Sequence, residues 1–346
     1  MAINSLDVQD FTVFSKTKIE FCDGVNVFIG ENGTGKTHLL KILYAFCKCK
    51  HDPSKFKDTF SNSFFISLED CFYNGSMADG LIRRNIPAQC TASSLIVEIE
   101  SASANLKYIY PVRKGDLSYP GEEYSCKKEI ISSVFIPSKD MLTHGRLEKD
   151  FAQRNLPFDD TLIDILNKAG VSTLKELDEA SGRLLKKISN VIGGKVIYKN
   201  DRYYIEKERI GCVEFAVEAE GFKKFGLIYR LIETGYLKNN SILIWDEPEN
   251  SLNPELVPTL VDILLELSQN GVQIFIATHD YNLARYFDVR KNKSISVMFH
   301  NFSKGEHVTC NSSREYAKIS DNHLETASAD LFKAVVADAM KVQDDE

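Results

Sequence analysis

The period of the apolar positions changes along this chain. Near the start, SLDVQDF, KTKIEF and VNVFIG are short runs rich in β-branched and aromatic residues, separated by turn signals such as Asp23-Gly24. They predict two or three strands within residues 4–30. Leu39, Leu40, Leu43 and Phe46 then recur at helical spacing. Residues 50–90 show no clear period. LIVEIE (95–100) and LKYIYPV (106–112), joined through SASAN, predict a hairpin, and SSVFIP (132–137) predicts a strand stopped by Pro137. The polar stretch 113–130 between them reads as a loop.

Residues 159–193 predict two helices. Asp159 or Asp160 caps the first and Gly170 ends it. Thr173 with Glu176 forms a capping box for the second, which stops at Gly193-Gly194. VIYKNDRYYIEK (196–207) predicts a hairpin turning near Asn200-Asp201. The last third alternates cleanly between helices and fully apolar strands. FKKFGLIYRLIETG is a helix ended by Gly235, and SILIWDE a buried strand. PELVPTLVDILLELSQNG is a helix opened by Pro254 and closed by Gly271. VQIFIAT is a second buried strand, and HDYNLARYFD a short helix. Such alternation implies a parallel sheet covered on both faces. SISVMF (294–299) with HVTC (307–310) adds a hairpin, and a last helix carries Leu331, Phe332, Val335, Val336 and Met340.

Composition narrows this picture. The 346 residues suffice for one large or two modest domains. Apolar residues at 43% and charged residues at 26% suit a globular protein, and no apolar run approaches the ~18 residues of a membrane span. A net charge of -7 argues against broad non-specific nucleic-acid binding. The opening MAINSLDVQD lacks a basic segment followed by an apolar one, so no signal peptide is expected. The eight cysteines form no CxxC pair, which favours free thiols in a reducing cytoplasm over disulfides or a structural zinc.

The chemistry concentrates in three places. Gly30-Glu31-Asn32-Gly33-Thr34-Gly35-Lys36-Thr37 matches GxxxxGK[ST] between an apolar strand and an amphipathic helix. Backbone N–H groups from Asn32, Gly33, Thr34, Gly35, Lys36, Thr37 and His38 can surround a phosphate chain there, helped by the positive helix start. Lys36 is expected to reach the β- and γ-phosphates of ATP and Thr37 to hold Mg²⁺. ILIWDE ends in two carboxylates, of which Asp246 suits the Mg²⁺ shell and Glu247 suits polarising the attacking water. His279 follows the strand VQIFIAT, a placement that suits a γ-phosphate sensor.

GVNVFIGENGTGKTHLLKILYA, ILIWDEPENSLNP and QIFIATHD together resemble the ABC-type ATPase superfamily, in particular its SMC, RecF and OLD-like branch of AAA-family ATP-binding proteins. The resemblance implies an α/β P-loop NTPase of ABC ATPase type, with a mostly parallel sheet covered by helices, an antiparallel β lobe and a helical insertion. On that basis, 1–50 and 210–300 form the nucleotide-binding core. Residues 51–140 form a β-rich lobe, 141–209 a helical insertion and hairpin, and 301–346 a C-terminal hairpin and helix. The resemblance also implies a homodimer or higher homo-oligomer closed around ATP. In such a sandwich Gly221, in Ala219-Glu220-Gly221-Phe222-Lys223-Lys224, acts as the signature element, and Ser251, in Ser251-Leu252-Asn253-Pro254, as the D-loop. Glu220 replaces the usual serine, so Lys223 or Lys224 must neutralise it, or the interface works differently.

Lys139, in FIPSK, is a candidate for the family's sensing loop, and Phe11 and Phe14 are candidates to stack on adenine, although core positions suit them better. The helices within 159–193 allow at most a short arm or lid. No DxD pair follows His279, so a nuclease would be a separate polypeptide. The leading expectation is an ATP-driven switch or scaffold subunit controlling a separate effector, as in the phage anti-restriction-induced system. The alternative is a RecF-like repair ATPase that grips DNA through the basic stretches at 48–57, Arg83-Arg84 and 183–187.

Overall fold

The computed structural model describes residues 2–48, 59, 94–102, 104–111, 123–126, 132–138 and 160–344. Lys139, Arg83 and Arg84 lie outside the described residues, as does most of the basic stretch at 48–57. Two sheets face each other across a helix. The first is antiparallel, in the order β2-β1-β4-β5-β6, built from β1 (Ile3–Phe11), β2 (Phe14–Glu20), β4 (Ser94–Ser101), β5 (Ala104–Pro111) and β6 (Glu123–Cys126). The second has the order β14-β13-β3-β12-β11-β7. Its strands are β3 (Val25–Gly30), β7 (Ser132–Ile136), β11 (Ser241–Asp246), β12 (Gln273–Ala277), β13 (Val297–Ser303) and β14 (Thr309–Ser313). All its pairs are parallel except the one that adds the edge strand β14.

The parallel strands are apolar on both faces because both faces are covered. Leu243 and Trp245 of β11 point into one core with Val25, Val27 and Ile29 of β3. Ile242 and Ile244 point into the other with Phe28. In that second core α1 (Lys36–Lys48) lies between the sheets, burying Leu39, Leu40, Ile42 and Leu43 against residues of β1 and β4. The first core is closed by α4 (Glu220–Glu233), α5 (Val257–Gln269) and α6 (Tyr281–Arg290). It also takes in α2 (Asp160–Gly170) and α3 (Glu179–Ile192) through Ile165, Leu166, Leu184, Ile188 and Ile192.

The helical insertion is therefore not an arm or a lid. It shares one hydrophobic cluster with Trp245. Buried cations fasten it further. Lys168 Nζ donates to Ser133 O of β7 and to Asp164. Arg230 of α4 donates to Ala169 O at 3.0 Å and to Val171 O at 3.0 Å.

Several other expectations change in detail. The second helix starts at Glu179, capped by Asp178, whose carboxylate accepts from Ser181 N at 2.7 Å. Thr173 and Glu176 do not open it, because the segment before it runs along the end of α4, where Leu174 N donates to Glu233 O at 2.9 Å. β6 lies within the stretch read as a polar loop, since pairing to β5 uses backbone groups and needs no apolar pattern. β10 (Gly211–Glu214) joins the hairpin of β8 (Lys195–Lys199) and β9 (Arg202–Lys207) as a third strand. The sheets also divide the chain differently from the expected boundaries. β1 and β2, placed with the core, belong to the antiparallel sheet, and β7, placed in the β-rich lobe, pairs with β11. Non-local hydrogen bonding decides that membership.

A buried polar cluster joins the two sheets at the foot of the parallel strands. Gln273 Oε1 accepts from Ile3 N at 2.8 Å, while its Nε2 donates to Ile3 O at 2.9 Å and Cys22 O at 2.8 Å. Asn26 Oδ1 accepts from Cys22 N at 2.9 Å and also faces His300 Nε2 at 3.3 Å. That assigns the His300 proton to Nε2 and leaves Nδ1 to accept from the Ser312 hydroxyl at 2.8 Å.

Two predictions follow from this cluster. Gln273→Leu removes three buried hydrogen bonds, of which only the one to Cys22 O is backed by a second donor, Asn26 Nδ2, and is expected to lower stability by about 2–4 kcal/mol in urea unfolding. Burial pushes the His300 imidazole down to about 3. The unfolded chain then takes up a proton that the folded chain refuses, so stability is full above the ordinary histidine range near 6.5 and falls with pH below it. His300→Gln should flatten that slope by about 1.4 kcal/mol per pH unit between pH 6 and 4.5, measured by urea unfolding at each pH.

Candidate functional site

Parallel pairing brings the C-terminal ends of three neighbouring strands to one edge. Asp246 is level with Ala277, Ala277 with Phe28, and Gly30 with Phe302. The P-loop leaves β3 at this edge and turns into α1. Gly30 (φ 133°) and Gly35 (φ 86°) lie in backbone regions that glycine favours, and a Cβ would meet Phe302 O at 2.2 Å or the Phe14 ring at 2.6 Å. The loop is thus clamped between β13 and the β1–β2 hairpin.

Lys36 is buried and folds over the loop. Its Nζ donates to Gly30 O and Glu31 O, both at 2.8 Å, and lies 3.4 Å from Thr34 Oγ1. Burial pushes its ammonium down to about 8, against the pull of the Asp246 and Glu247 carboxylates. Its hydrogen-bond partners are neutral oxygens, and charged acceptors bind an ammonium more strongly. Asn32 and Gly33 are exposed on the outer side of the loop, and the Thr34 hydroxyl donates to Glu31 O at 2.8 Å. His38 follows in the first turn of α1. Its ring packs edge-on against Phe11, and burial holds it down to about 4.

Thr37 Oγ1 lies 3.1 Å from both carboxylate oxygens of Asp246. Burial raises Asp246 to about 6 despite the Thr37 hydrogen bond, with the Glu247 charge adding to the rise. Two hard oxygen donors facing each other beside a phosphate loop fit Mg²⁺, which takes few protein ligands and completes its shell with phosphate and water. Glu247 is half-exposed with φ 50°, an uncommon conformation for a bulky residue. Its carboxylate is 3.8 Å from His279 Nε2. That is too long for a hydrogen bond and leaves a gap between two groups able to handle protons. Burial, and then Lys36, lower the His279 pKa, so the ring is neutral at pH 7.

The structure therefore brings Lys36, Thr37, Asp246, Glu247 and His279 together. Gly221, buried at the start of α4, packs against Leu252, the neighbour of Ser251 in the loop after β11. A Cβ on Gly221 would meet Leu252 Cδ1 at 3.1 Å, and Ser251 is exposed with φ 58°. Glu220 pairs within the chain with Lys223 at 2.6 Å, while Lys224 donates to Pro248 O at 3.0 Å. Phe11 and Phe14 are fully buried, so neither ring offers a face to adenine.

Three participants escaped the sequence reading. Glu249 binds the loop that carries His279. It was visible in DEPEN as a third carboxylate, but its direction was not. Lys304, after β13, places Nζ 3.8 Å from where a Gly33 Cβ would sit, and its charge lowers the Lys36 pKa further. His323, opening the last helix, stands 3.3 Å from Glu31 of the P-loop. No local signal marks either residue: Lys304 reaches the loop through the pairing of β13 with β3, and His323 through the placement of the last helix.

Residues 131–285 match the family described as AAA domain, putative AbiEii toxin, Type IV TA system, and residues 5–104 match one described as AAA domain. The DNA double-strand break repair Rad50 ATPase of Sulfurisphaera tokodaii is 25% identical over 213 residues, covering 58% of this chain and 22% of that protein. The DNA replication and repair protein RecF of Shouchella clausii is 39% identical over 59 residues, covering 17% of this chain and 16% of that protein. The chain thus spans under a quarter of the length of these two relatives. An ATP/GTP phosphatase of Helicobacter pylori is 21% identical over 330 residues, covering 83% of this chain and 87% of its own. The SMC head domain from Thermotoga maritima superposes with a TM-score of 0.51 at 13% identity, covering 90% of this chain and 99% of that one. Fold, P-loop edge and these likenesses agree: the chain is a P-loop ATPase with AAA-domain matches, similar in sequence to Rad50 and RecF ATPases and in fold to an SMC head.

Proposed function

We propose that the chain binds Mg·ATP and hydrolyses it as a switch subunit that controls a separate effector, a nuclease of bacterial anti-phage defence. The observation that carries the ATPase part is the Thr37–Asp246 contact beside Lys36, with Glu247 and His279 facing each other next to it. Lys36 exchanges its carbonyl partners for phosphate oxygens. Thr37 and Asp246 hold Mg²⁺, which when bound neutralises charge on the β- and γ-phosphates. Glu247 orients the attacking water and accepts its proton. His279, neutral, donates or accepts a hydrogen bond at the γ-phosphate side. Gly221 and Ser251 complete the site of a second copy, and the Glu220–Lys223 pair removes the repulsion that Glu220 would otherwise direct at phosphate.

Two features support a protein effector. Leu331, Phe332, Val335 and Met340 stand exposed on α7 (His323–Asp344), an apolar face that water disfavours. The family matched over 131–285 is described by a toxin of a type IV toxin–antitoxin system, which supports a role beside a second gene product. The likeness to Rad50 and RecF supports a second reading, a repair ATPase that binds DNA directly. Within the described basic stretch, Arg183 pairs with Glu179 and Lys187 with Glu266, so it is partly neutralised.

Glu247→Gln is expected to keep ATP and lose about 100-fold or more in turnover. With Mg·ATP it should also double or multiply its mass in light scattering. Lys36→Ala should lose nucleotide binding and turnover together, measured with a fluorescent ATP analogue and by phosphate release. Duplex DNA should leave the ATPase rate of the parent within about twofold at low salt. A large stimulation that collapses between 50 and 200 mM salt would instead establish the DNA-binding reading.

A further inference from the structure

Glu249 touches neither the P-loop lysine nor the Thr37–Asp246 pair, yet it ties together the two loops that flank Glu247. Its Oε1 accepts from Thr278 Oγ1 at 2.6 Å and from the backbone N–H of His279 at 3.1 Å. The same Thr278 hydroxyl accepts from Asp280 N at 2.9 Å, and Asp280 in turn caps α6 through Leu283 N at 2.6 Å. The turn from β12 into α6 is therefore pinned at three consecutive residues, with His279 in the middle. On its other side, the Glu249 carbonyl accepts from Leu252 N at 2.9 Å, closing the turn that presents Ser251. One residue thus holds the His279 turn by its side chain and the Ser251 turn by its main chain.

Stability alone explains this arrangement poorly. Burial raises the Glu249 pKa, and its Oε2 is buried with no hydrogen-bond partner among the described residues. An unpaired buried carboxylate oxygen is costly and calls for a reason other than packing.

We propose that Glu249 is a positioning residue for hydrolysis: it holds His279 in place against Glu247 and links that placement to the Ser251 turn. The inference rests on the proposed roles of Glu247, His279 and Ser251. The Thr278 and His279 donors fix where the imidazole stands, and a shift of the turn by an ångström would misplace it at the γ-phosphate side. Movement of the Ser251 turn against a second copy reaches His279 through the same residue.

The test uses the full chain with steady-state ATPase, ATP affinity from a fluorescent analogue, and thermal unfolding. Glu249→Ala should lower kcat by about 10- to 100-fold while ATP affinity stays within about twofold. Glu249→Gln, whose amide oxygen still accepts both hydrogen bonds, should recover most of that loss. Thr278→Val, close in shape to threonine, removes the Thr278–Glu249 hydrogen bond together with the one from Asp280 N, and gives a second reading should Glu249→Ala fail to fold. The double variant should be no slower than the slower single one, because both act on one link. The proposal is overturned if Glu249→Ala or Thr278→Val keeps kcat within about twofold of the parent, or if ATP affinity falls as much as kcat. It is also overturned if Glu249→Gln is as slow as Glu249→Ala, or if the two substitutions multiply. Glu247→Gln and Lys36→Ala, run alongside, separate the two levels. If neither lowers turnover, the hydrolytic reading itself fails; if both do and Glu249→Ala does not, only the positioning role fails.

Discussion

The arrangement depends on one constraint, the parallel register of β3, β12 and β11. Because these strands run the same way and pair without a shift, Gly30, Ala277 and Asp246 end at nearly one level. Every group with chemistry to perform then appears in the first residues beyond that edge. The P-loop leaves β3, the two carboxylates end β11, and His279 follows β12. A slip of one residue would turn Asp246 to the opposite face of the sheet and separate it from Thr37.

Holding that edge steady requires support from behind, and the second sheet supplies it. α1 is buried between the sheets, so the helix that carries Lys36 and Thr37 cannot shift without opening both layers. Gln273, Asn26 and His300 fasten the opposite ends of the same strands. These groups are buried and polar, which makes their geometry demanding: each must find its own partner or leave one unsatisfied. The P-loop glycines belong to this system too. Gly30 and Gly35 are small because Phe302 and Phe14 press against them, and the fit that excludes a side chain also fixes the direction of the loop.

The other half of the site has a different character. Ser251 is exposed in its turn, while Gly221 and Leu252 are buried against each other behind it. Glu220 departs from the expected serine, and its chain places a buried lysine beside it in compensation. Glu249 stands where the two halves meet, with a strained Glu247 just before it and the Ser251 turn just after. α7 begins at His323, beside Glu31 of the P-loop, and its apolar residues further along are exposed.

Much of this was legible in local patterns. The strand, glycine loop and helix around Lys36 are contiguous, so their period and their GxxxxGKT spacing carry the phosphate site within a single stretch. The apolar strands before Asp246 and His279 could be recognised for the same reason, and the glycines ending α3, α4 and α5 declared themselves because a left-handed residue is needed at those points. What the chain did not announce lies across long separations. β7 joins β11 although the intervening segments obscure it, β1 leaves the core for the antiparallel sheet, and α2 and α3 pack down as core where at most a short arm or lid was expected. The direction of Glu249, the approach of Lys304 to Gly33 and the burial of Phe11 and Phe14 belong with them. Each depends on which distant backbone pairs with which, and such pairings are selected by the collective fit of both cores, which no window of neighbouring residues contains.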